Sequence, residues 1–319
     1  MEIKAAISVK NKLNTQSKFQ HIKKRLNQSK YLLILFLPGL IYFIIFRYVP
    51  MYGLVIAFKK YEFQKGIWGS DWVGLKQFII FFNNPQAWRI IANTFLLSFY
   101  SLLFGFPAPI ILALLLNEIK NTTSKKTFQT VTYLPHFISE VIIAGMMINF
   151  LAPTDGIINK LIVMFGGQKI FFFSDPGWFR TLYVSSGIWQ GIGWGAIIYI
   201  AALAGINPEL YEAAIVDGAG RWKQMINITL PCIAPTVSIM LILRLGNLLS
   251  VGFEKVLLLY NPLLYETADV ISTFVYRRGI QGADFSFATA INLLDNVVGL
   301  ILIVIANSVC RKLNETSLW

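Results

Sequence analysis

The chain has 319 residues, of which 55% are hydrophobic and only 14% are charged. A mean hydropathy of +0.59 is too high for a soluble domain of this length, so the composition excludes that class. The formal net charge of +12 suggests nucleic-acid binding at first sight. However, much of that charge lies in the first thirty residues, just before an apolar segment, where membrane orientation explains it better. We therefore expect an all-α polytopic membrane protein that contacts lipid and no nucleic acid.

Six segments contain the roughly 20 mostly apolar residues that a helix needs to cross a bilayer. They are residues 30–50, 90–117, 130–151, 180–205, 236–258 and 285–310. The basic arm 1–29 and the lysines after the second span place both termini in the cytoplasm under the positive-inside rule. Lysines in the outer segment 51–88 make this asymmetry imperfect. We expect a six-helix transmembrane domain over 30–310, followed by a cytoplasmic tail over 311–319.

Two details of the spans are predictable from glycine and proline. Gly187, Gly191, Gly193 and Gly195 lie close together in the fourth span. Small residues let helix backbones approach closely, so this span should pack against protein on more than one side. A pair of prolines, Pro107 and Pro109, should kink the second span because each removes a backbone donor.

A polar loop at 206–231 separates the fourth and fifth spans. The Asn-Pro-Glu sequence at 207–209 predicts a helix start, because Asn caps free amides, Pro suits the first helical position and Glu favours the positive helix end. A short helix should follow. Gly218 and Gly220 then allow a sharp reversal into a second short helix at 221–228. The loop is thus predicted to form a helix-turn-helix lobe on the cytoplasmic side.

This loop carries a spaced motif: E-A-A, three residues, G, nine residues and I-x-L-P over residues 212–231. The motif resembles the signature of the permease subunits of ABC importers, and Asp217-Gly218-Ala219 is similar to the form common in carbohydrate importers. Residues 133–137 and 260–262 also resemble the oligosaccharide and polysaccharide branch of that family. One departure is Met225, where an aromatic residue is frequent.

The resemblance implies a type I ABC importer permease fold whose loop holds a coupling helix that inserts into a cytoplasmic ATPase. Glu212 would pair with a basic residue of that ATPase, and the small Ala213 and Ala214 would allow close approach. The other residues implied in coupling are Asp217, Gly218, Ala219, Arg221, Trp222 and Lys223. The simpler reading is a solvated loop whose alanines merely favour helix.

The same resemblance implies partners and a location. The partners would be a homologous second permease subunit in a heterodimer, two copies of the ATP-binding subunit, and an extracellular solute-binding protein that delivers an oligosaccharide. ATP and Mg would be bound by the ATPase and not by this chain. The location would be the bacterial inner membrane, which this chain would cross several times.

Polar side chains in or beside the spans are candidates for a substrate pathway, because charges are costly to bury in lipid. Arg244 and Asp295 could hold sugar hydroxyls, or could instead form a salt bridge that only fixes helix packing. The full set of pathway candidates is Arg244, Asn247, Ser250, Phe253, Glu254, Asn292 and Asp295. Asn292 could equally bond between helices, and His136 is expected to be a packing or interfacial residue.

Catalytic motifs are missing from the sequence. It contains no G-x-x-x-x-G-K-[ST] and no H-E-x-x-H, and its two histidines exclude a histidine-rich metal site. We therefore expect a non-catalytic subunit without a metal or cofactor of its own. The alternative function is a secondary transporter or channel for a small polar solute. Paired internal repeats with broken helices would favour that alternative, and the sequence shows no convincing repeat.

Overall fold

The computed structural model describes residues 29–246 and 251–314. Nearly all of the basic arm, the pathway candidates Asn247 and Ser250, and the last five residues lie outside the described residues. Within the described part, five helices are long and apolar enough to cross a membrane. They are Lys30–Phe58, Ala87–Glu118, Pro176–Ala204, Arg221–Gly246 and Phe285–Ile305. The helices Thr122–Phe137 and Glu140–Phe150 form a bent pair. If this pair counts as one crossing, the described part has up to six.

The first span is longer than predicted and is almost unpacked. The α-helix Lys30–Phe43 continues through a π-helical turn Ile44–Tyr48, a short helix Val49–Met51 and a 3-10 helix Tyr52–Phe58. In its most apolar window no residue is buried within the chain. Its last segment, Tyr52–Phe58, packs on the sixth span.

A small lobe follows the first span. Strand Lys59–Lys60 pairs antiparallel with strand Asp71–Trp72, and helix Gly66–Gly69 lies between them. The Ser70 hydroxyl accepts a hydrogen bond from the Glu62 amide at 3.0 Å and thereby ties the hairpin together. Helix Lys76–Phe82 then buries Phe81 in the core.

The second span consists of helices Ala87–Gly105 and Pro107–Glu118, interrupted at Phe106. The interruption falls directly before Pro107, as the missing backbone donor of proline predicts. The third predicted span is not one straight helix. Helices Thr122–Tyr133 and Leu134–Phe137 meet helix Glu140–Phe150 at an angle of 99°.

This bend has a local cause. Pro135 lacks an amide donor in the last turn of the first helix, and Ile138 leaves the helical conformation with ψ of 129°. Ser139 then caps the next helix, because its hydroxyl accepts from the Ile142 amide at 3.4 Å. The sequence signals for a helix end and a helix start were therefore present inside the predicted span 130–151. Helix Ile157–Met164 follows the bent pair.

The fourth span, Pro176–Ala204, is the centre of the packing. A Cβ atom at Gly193 would collide with the Thr132 carbonyl oxygen, and one at Gly195 would lie 3.0 Å from Pro109. These glycines therefore let the fourth span approach the bent pair on one side and the second span on another. The predicted packing on more than one side is confirmed.

The fifth span differs from its predicted bounds of 236–258. Helix Arg221–Gln224 continues through a π-helical turn Met225–Thr229 into helix Leu230–Gly246, so the predicted separate helix at 221–228 is wrong. Prolines suit the first turn of a helix, so Pro231 and Pro235 favour a new helix that begins with the fifth span. The wider π-helical turn just before Pro231 instead accommodates the proline without ending the helix.

Short helices fill the space between residue 252 and the sixth span. They are Phe253–Leu259, Pro262–Leu264, Tyr265–Ala268 and Ile271–Val275, followed by a π-helical turn Tyr276–Gln281 and the long helix Phe285–Asn314. Two of the hydrophobic clusters gather around them: Phe274 and Phe287 centre one, and Leu97 and Val270 belong to the other. A third cluster joins the second, fourth and fifth spans through residues such as Ala196 and Ile233.

Candidate functional site

The loop 206–231, here called the EAA loop, begins with the predicted helix cap. Asn207 Oδ1 accepts from the Glu209 amide at 3.1 Å, and Pro208 occupies the first position of helix Pro208–Val216. The helix ends in a Schellman motif, in which the Gly218 amide bonds to Ile215 O and the Ala219 amide bonds to Ala214 O. Gly218 has φ of +72°, which L side chains rarely adopt. The predicted turn at Gly218 is thus confirmed.

The residues that the sequence assigns to coupling lie on the outside of this loop. Glu212, Ala213, Asp217, Gly218, Arg221, Trp222 and Lys223 are exposed, and Ala214 and Ala219 are half-buried. The Trp222 side chain is 74% exposed. Among the described residues, Glu212 makes no hydrogen bond or salt bridge. Its carboxylate is therefore available to a partner.

Two apolar residues of the same helix were not singled out from the sequence. Ile215 is 63% exposed and Val216 is 87% exposed. Both lie about one helical turn after Glu212, so they form an exposed apolar patch beside it, which suits a docking surface. They occupy the first two of the three variable positions between the E-A-A and the glycine of the motif.

Side-chain contacts hold the EAA loop to the spans. Tyr211 and the buried Thr229 share a hydrogen bond of 2.9 Å between their hydroxyl oxygens, which joins helix Pro208–Val216 to the start of the fifth span. Arg221 Nη1 lies 3.5 Å from a carboxylate oxygen of Glu118 at the end of the second span. These contacts join the loop to the second and fifth spans.

A cavity of about 460 Å³ lies between the second, fourth and fifth spans and the bent pair. The second span contributes Ser101 and Pro109, and the fourth contributes its face from Tyr183 to Tyr199, including Gly187 and Gly191. Polar groups line it as well: His136, Glu140, Gln190, Arg244 and Lys255. A partly open space between spans with polar groups in its wall is where a transported solute can pass.

The candidates named for the pathway are spread widely. Arg244 lines the cavity. The Phe253 ring instead packs on Tyr276 at 5.2 Å, and Glu254 is exposed in the first turn of its helix. On the sixth span Asn292 is exposed, and its carbonyl accepts from the Asn296 side chain at 2.7 Å.

Asp295, the last of these candidates, is half-buried and does not line the cavity. Its Oδ1 atom is buried without a hydrogen bond among the described residues. Within that same part of the chain no salt bridge joins it to Arg244. Of the two alternatives that the sequence leaves open for Arg244 and Asp295, the salt bridge between them is therefore not formed in this structure.

Other residues that line the cavity are not in the set of pathway candidates. The ring of His136, which was assigned to packing, lines the cavity and stacks on Trp194 with centroids 4.5 Å apart. Lys255 is buried in the cavity wall, and Glu140 begins the second helix of the bent pair. Only the tertiary arrangement brings these three residues together, since they lie on different elements.

A buried polar network around Asp269, here called the clasp, connects the segment before the sixth span to the second and fourth spans. Asp269 is fully buried and pairs with Arg277 at 2.7 Å, while Thr273 donates to its Oδ1 at 3.0 Å. Asn93 of the second span donates to the Asp269 carbonyl and accepts from Arg180 of the fourth. Partial burial alone would lower the pKa of Arg277, but hydrogen bonding and attraction to Asp269 raise it above its ordinary value.

In the described part of the chain, no group of three or more His, Cys, Asp or Glu side chains is placed so that it could hold a metal ion.

Three comparisons place these features among known proteins. Residues 90–309 match the family model described as "Binding-protein-dependent transport system inner membrane component". Protein LplB of Bacillus subtilis (strain 168) is 47% identical over 294 residues, covering 92% of each chain. The polygalacturonan/rhamnogalacturonan transport system permease protein YteP of the same organism is 46% identical over 295 residues, again covering 92% of each.

A solved structure is similar over nearly the same length. A chain in the crystal structure of a bacterial alginate ABC transporter, in complex with an alginate pentasaccharide-bound periplasmic protein, superposes with a TM-score of 0.87. The two sequences are 46% identical, and the match covers 92% of this chain and 99% of that chain. The chain belongs to the family of inner membrane components of binding-protein-dependent transport systems.

Proposed function

We propose that this chain forms half of the translocation pathway of an ATP-driven importer in the bacterial inner membrane, and that its cargo is an oligosaccharide. The relatives support an oligosaccharide as the cargo. YteP is named for polygalacturonan and rhamnogalacturonan transport, and the similar solved structure is that of an alginate transporter. The complex of that structure with a periplasmic protein supports delivery by an extracellular solute-binding protein. The other half of the pathway is a homologous second permease subunit, forming a heterodimer with this chain.

In this proposal the bent pair is one crossing, so the chain crosses the membrane six times with both termini in the cytoplasm. The EAA loop then also faces the cytoplasm, where two copies of an ATP-binding subunit bind ATP and Mg. Support comes from the exposed acidic and apolar surface of Glu212, Ile215 and Val216. Such a surface can fill a cleft on a partner protein, with the carboxylate paired to a basic residue.

The structure suggests how a movement of the ATPase reaches the pathway. The hydrogen bond between Tyr211 and Thr229 fastens the docking helix to the fifth span. The fifth span then runs without a break from Arg221 to Gly246. At 1.5 Å per residue, Arg244 in the cavity wall is about 35 Å from Arg221 along this helix. A rigid helix of this kind converts displacement of the loop into displacement of the cavity wall.

The proposal rests on the exposed Glu212, which has no partner among the described residues and lies on a helix that is joined to the fifth span. Replacing Glu212 by Gln removes the charge without changing the shape of the side chain. We expect less ATPase to co-purify with the permease and at least about a tenfold loss of ATP-dependent uptake, because a charge-assisted hydrogen bond at an interface is lost.

Glu209→Gln is the matched control, since Glu209 is exposed on the same helix and Gln retains an oxygen that accepts from Asn207. That variant should bind the ATPase and transport as the wild type does. Equal behaviour of the two variants would show that Glu212 has no special role and would remove the docking assignment.

A further inference from the structure

We propose that the cavity is a binding subsite for an acidic saccharide, in which Lys255 and Arg244 hold a carboxylate of the sugar. This inference rests on the proposed function and names the substrate class of the pathway. It also assigns Lys255, which no sequence pattern identified, as a residue that contacts the substrate.

Lys255 is the residue that most clearly indicates an anionic ligand. Its side chain is only 5% exposed, although lysine is almost never buried unless it is paired. Among the described residues, its ammonium group takes part in no salt bridge and no hydrogen bond. Its contact is with the face of Tyr183, whose ring centroid lies 5.5 Å from Nζ. A buried ammonium group with only this contact lacks the anionic partner that a buried lysine usually has, and the cavity is where such a partner can enter.

Tyr183 and Gly187 keep Lys255 in place. The Tyr183 hydroxyl accepts a hydrogen bond from the Gly252 amide at 2.9 Å, which anchors the segment just before Lys255 to the fourth span. A Cβ at Gly187 would lie 3.7 Å from Nζ, so the ammonium group rests against the bare backbone of that span. The lysine is therefore positioned along the cavity wall by contacts on two sides.

The other charged residues of the cavity wall indicate which charge a ligand should carry. Arg244 lines the same cavity and forms no salt bridge within the described residues. Against these two cations the cavity wall has one carboxylate, Glu140. Glu140 attracts Lys255 but lies beyond salt-bridge distance, and its buried Oε2 has no hydrogen-bond partner in the described part. An excess of positive charge remains for the ligand to neutralise.

The chemistry of the wall fits a sugar acid. Arginine and lysine are the usual donors to a carboxylate, and the free oxygen of Glu140 can accept a hydrogen bond from a sugar hydroxyl. The volume of about 460 Å³ lies within the range of small-molecule sites. A neutral saccharide would leave both cations without a partner. The carboxylate of Glu140 also weakens the hold on an anion, and a pathway needs binding that permits release.

The test uses the complete transporter with its binding protein in proteoliposomes. The probes are oligogalacturonate of three to five units and the same oligosaccharides with every carboxylate methyl-esterified, together with malto-oligosaccharides as neutral probes. We expect the wild type to take up the acidic probe faster than either neutral one. Lys255→Met should lower the ratio of acidic to neutral uptake by about tenfold, because one charge-assisted contact is lost.

Three further variants separate the effect of charge from that of structure. Lys255→Arg keeps the charge and should restore most of the acidic preference, which a merely structural role for the lysine would not predict. Lys160→Met removes an exposed lysine that does not line the cavity and should leave the ratio unchanged. Arg244→Met should lower the ratio in the same direction as Lys255→Met.

The outcomes distinguish the two levels of the proposal. Transport of neutral probes at or above the rate of the acidic probe would overturn the acidic subsite and leave the importer function intact. An unchanged ratio in Lys255→Met would also overturn it. Transport of no saccharide at all, with ATP and binding protein present, would overturn the proposed function and the subsite with it.

Discussion

Gly218 shows how one residue sets the geometry of the docking surface. Its φ of +72° places it in the left-handed region, while a Cβ there would meet no neighbouring atom within 4 Å. Any cost of substitution therefore comes from the backbone and not from a collision. For a β-branched residue that cost is about 1–2 kcal/mol.

Replacing Gly218 by Val should therefore disturb the turn while leaving the spans intact. We expect normal amounts of protein in the membrane, but uptake per ATP hydrolysed should fall several-fold because the docking helix loses its fixed orientation. The ratio is measured in proteoliposomes by following ATP hydrolysis and saccharide uptake together.

Gly220→Val provides the comparison, because Gly220 has φ of −69° and also has no neighbour within 4 Å of a Cβ. It should couple almost normally. If Gly218→Val coupled as well as Gly220→Val, the left-handed turn would not be required for coupling.

Local sequence predicts these residues well and predicts the cavity poorly. Asn207 and Gly218 act on the backbone within a few residues, so helix capping and turn rules locate them without tertiary information. Lys255 lies in a short helix that follows the fifth span, and its burial depends on Tyr183 and Gly187 of the fourth. Nothing in the neighbouring sequence reveals that contact.

At the scale of elements, the same contrast explains the two helices whose form was predicted incorrectly. The bend of 99° arises where Pro135 and Ser139 follow each other closely, and hydropathy alone does not register such signals inside an apolar stretch. For the fifth span the error is the opposite one, because a break was predicted where the helix is continuous. Pro231 predicts a helix start, but the π-helical turn Met225–Thr229 lets the helix pass through it.

The clasp around Asp269 joins elements that are distant in sequence. It connects Arg277 to Asn93 of the second span and, through Asn93, to Arg180 of the fourth. Replacing Asp269 by Asn removes the negative partner of Arg277 inside a largely buried site. We expect a loss of about 3 kcal/mol in stability, since breaking a buried pair leaves an uncompensated charge.

Thermal unfolding of the purified protein in detergent measures this effect as a lowered Tm. Asp284→Asn is the control, because Asp284 pairs with Arg278 at 3.4 Å with both side chains about a third exposed. Its effect should stay below about 1 kcal/mol, as for surface pairs. Equal Tm changes in the two variants would show that the clasp contributes no more than an exposed ion pair.

At the scale of the whole molecule, much of the apolar surface is left for lipid or other chains. The first span contributes most clearly, since none of its apolar window is buried within the chain. The packed part lies instead around the fourth span, where the cavity forms. The EAA loop joins this packed part through the fifth span, so the loop and the cavity belong to one connected body.

The most direct test of this account is saccharide uptake by the complete complex in proteoliposomes, with the binding protein on one side and ATP on the other. We expect uptake that requires both components and continues when ionophores remove all ion gradients. A secondary transporter would behave differently. Uptake that proceeds without ATP and stops when the ion gradient is removed would contradict the central claim that an ATPase drives this permease.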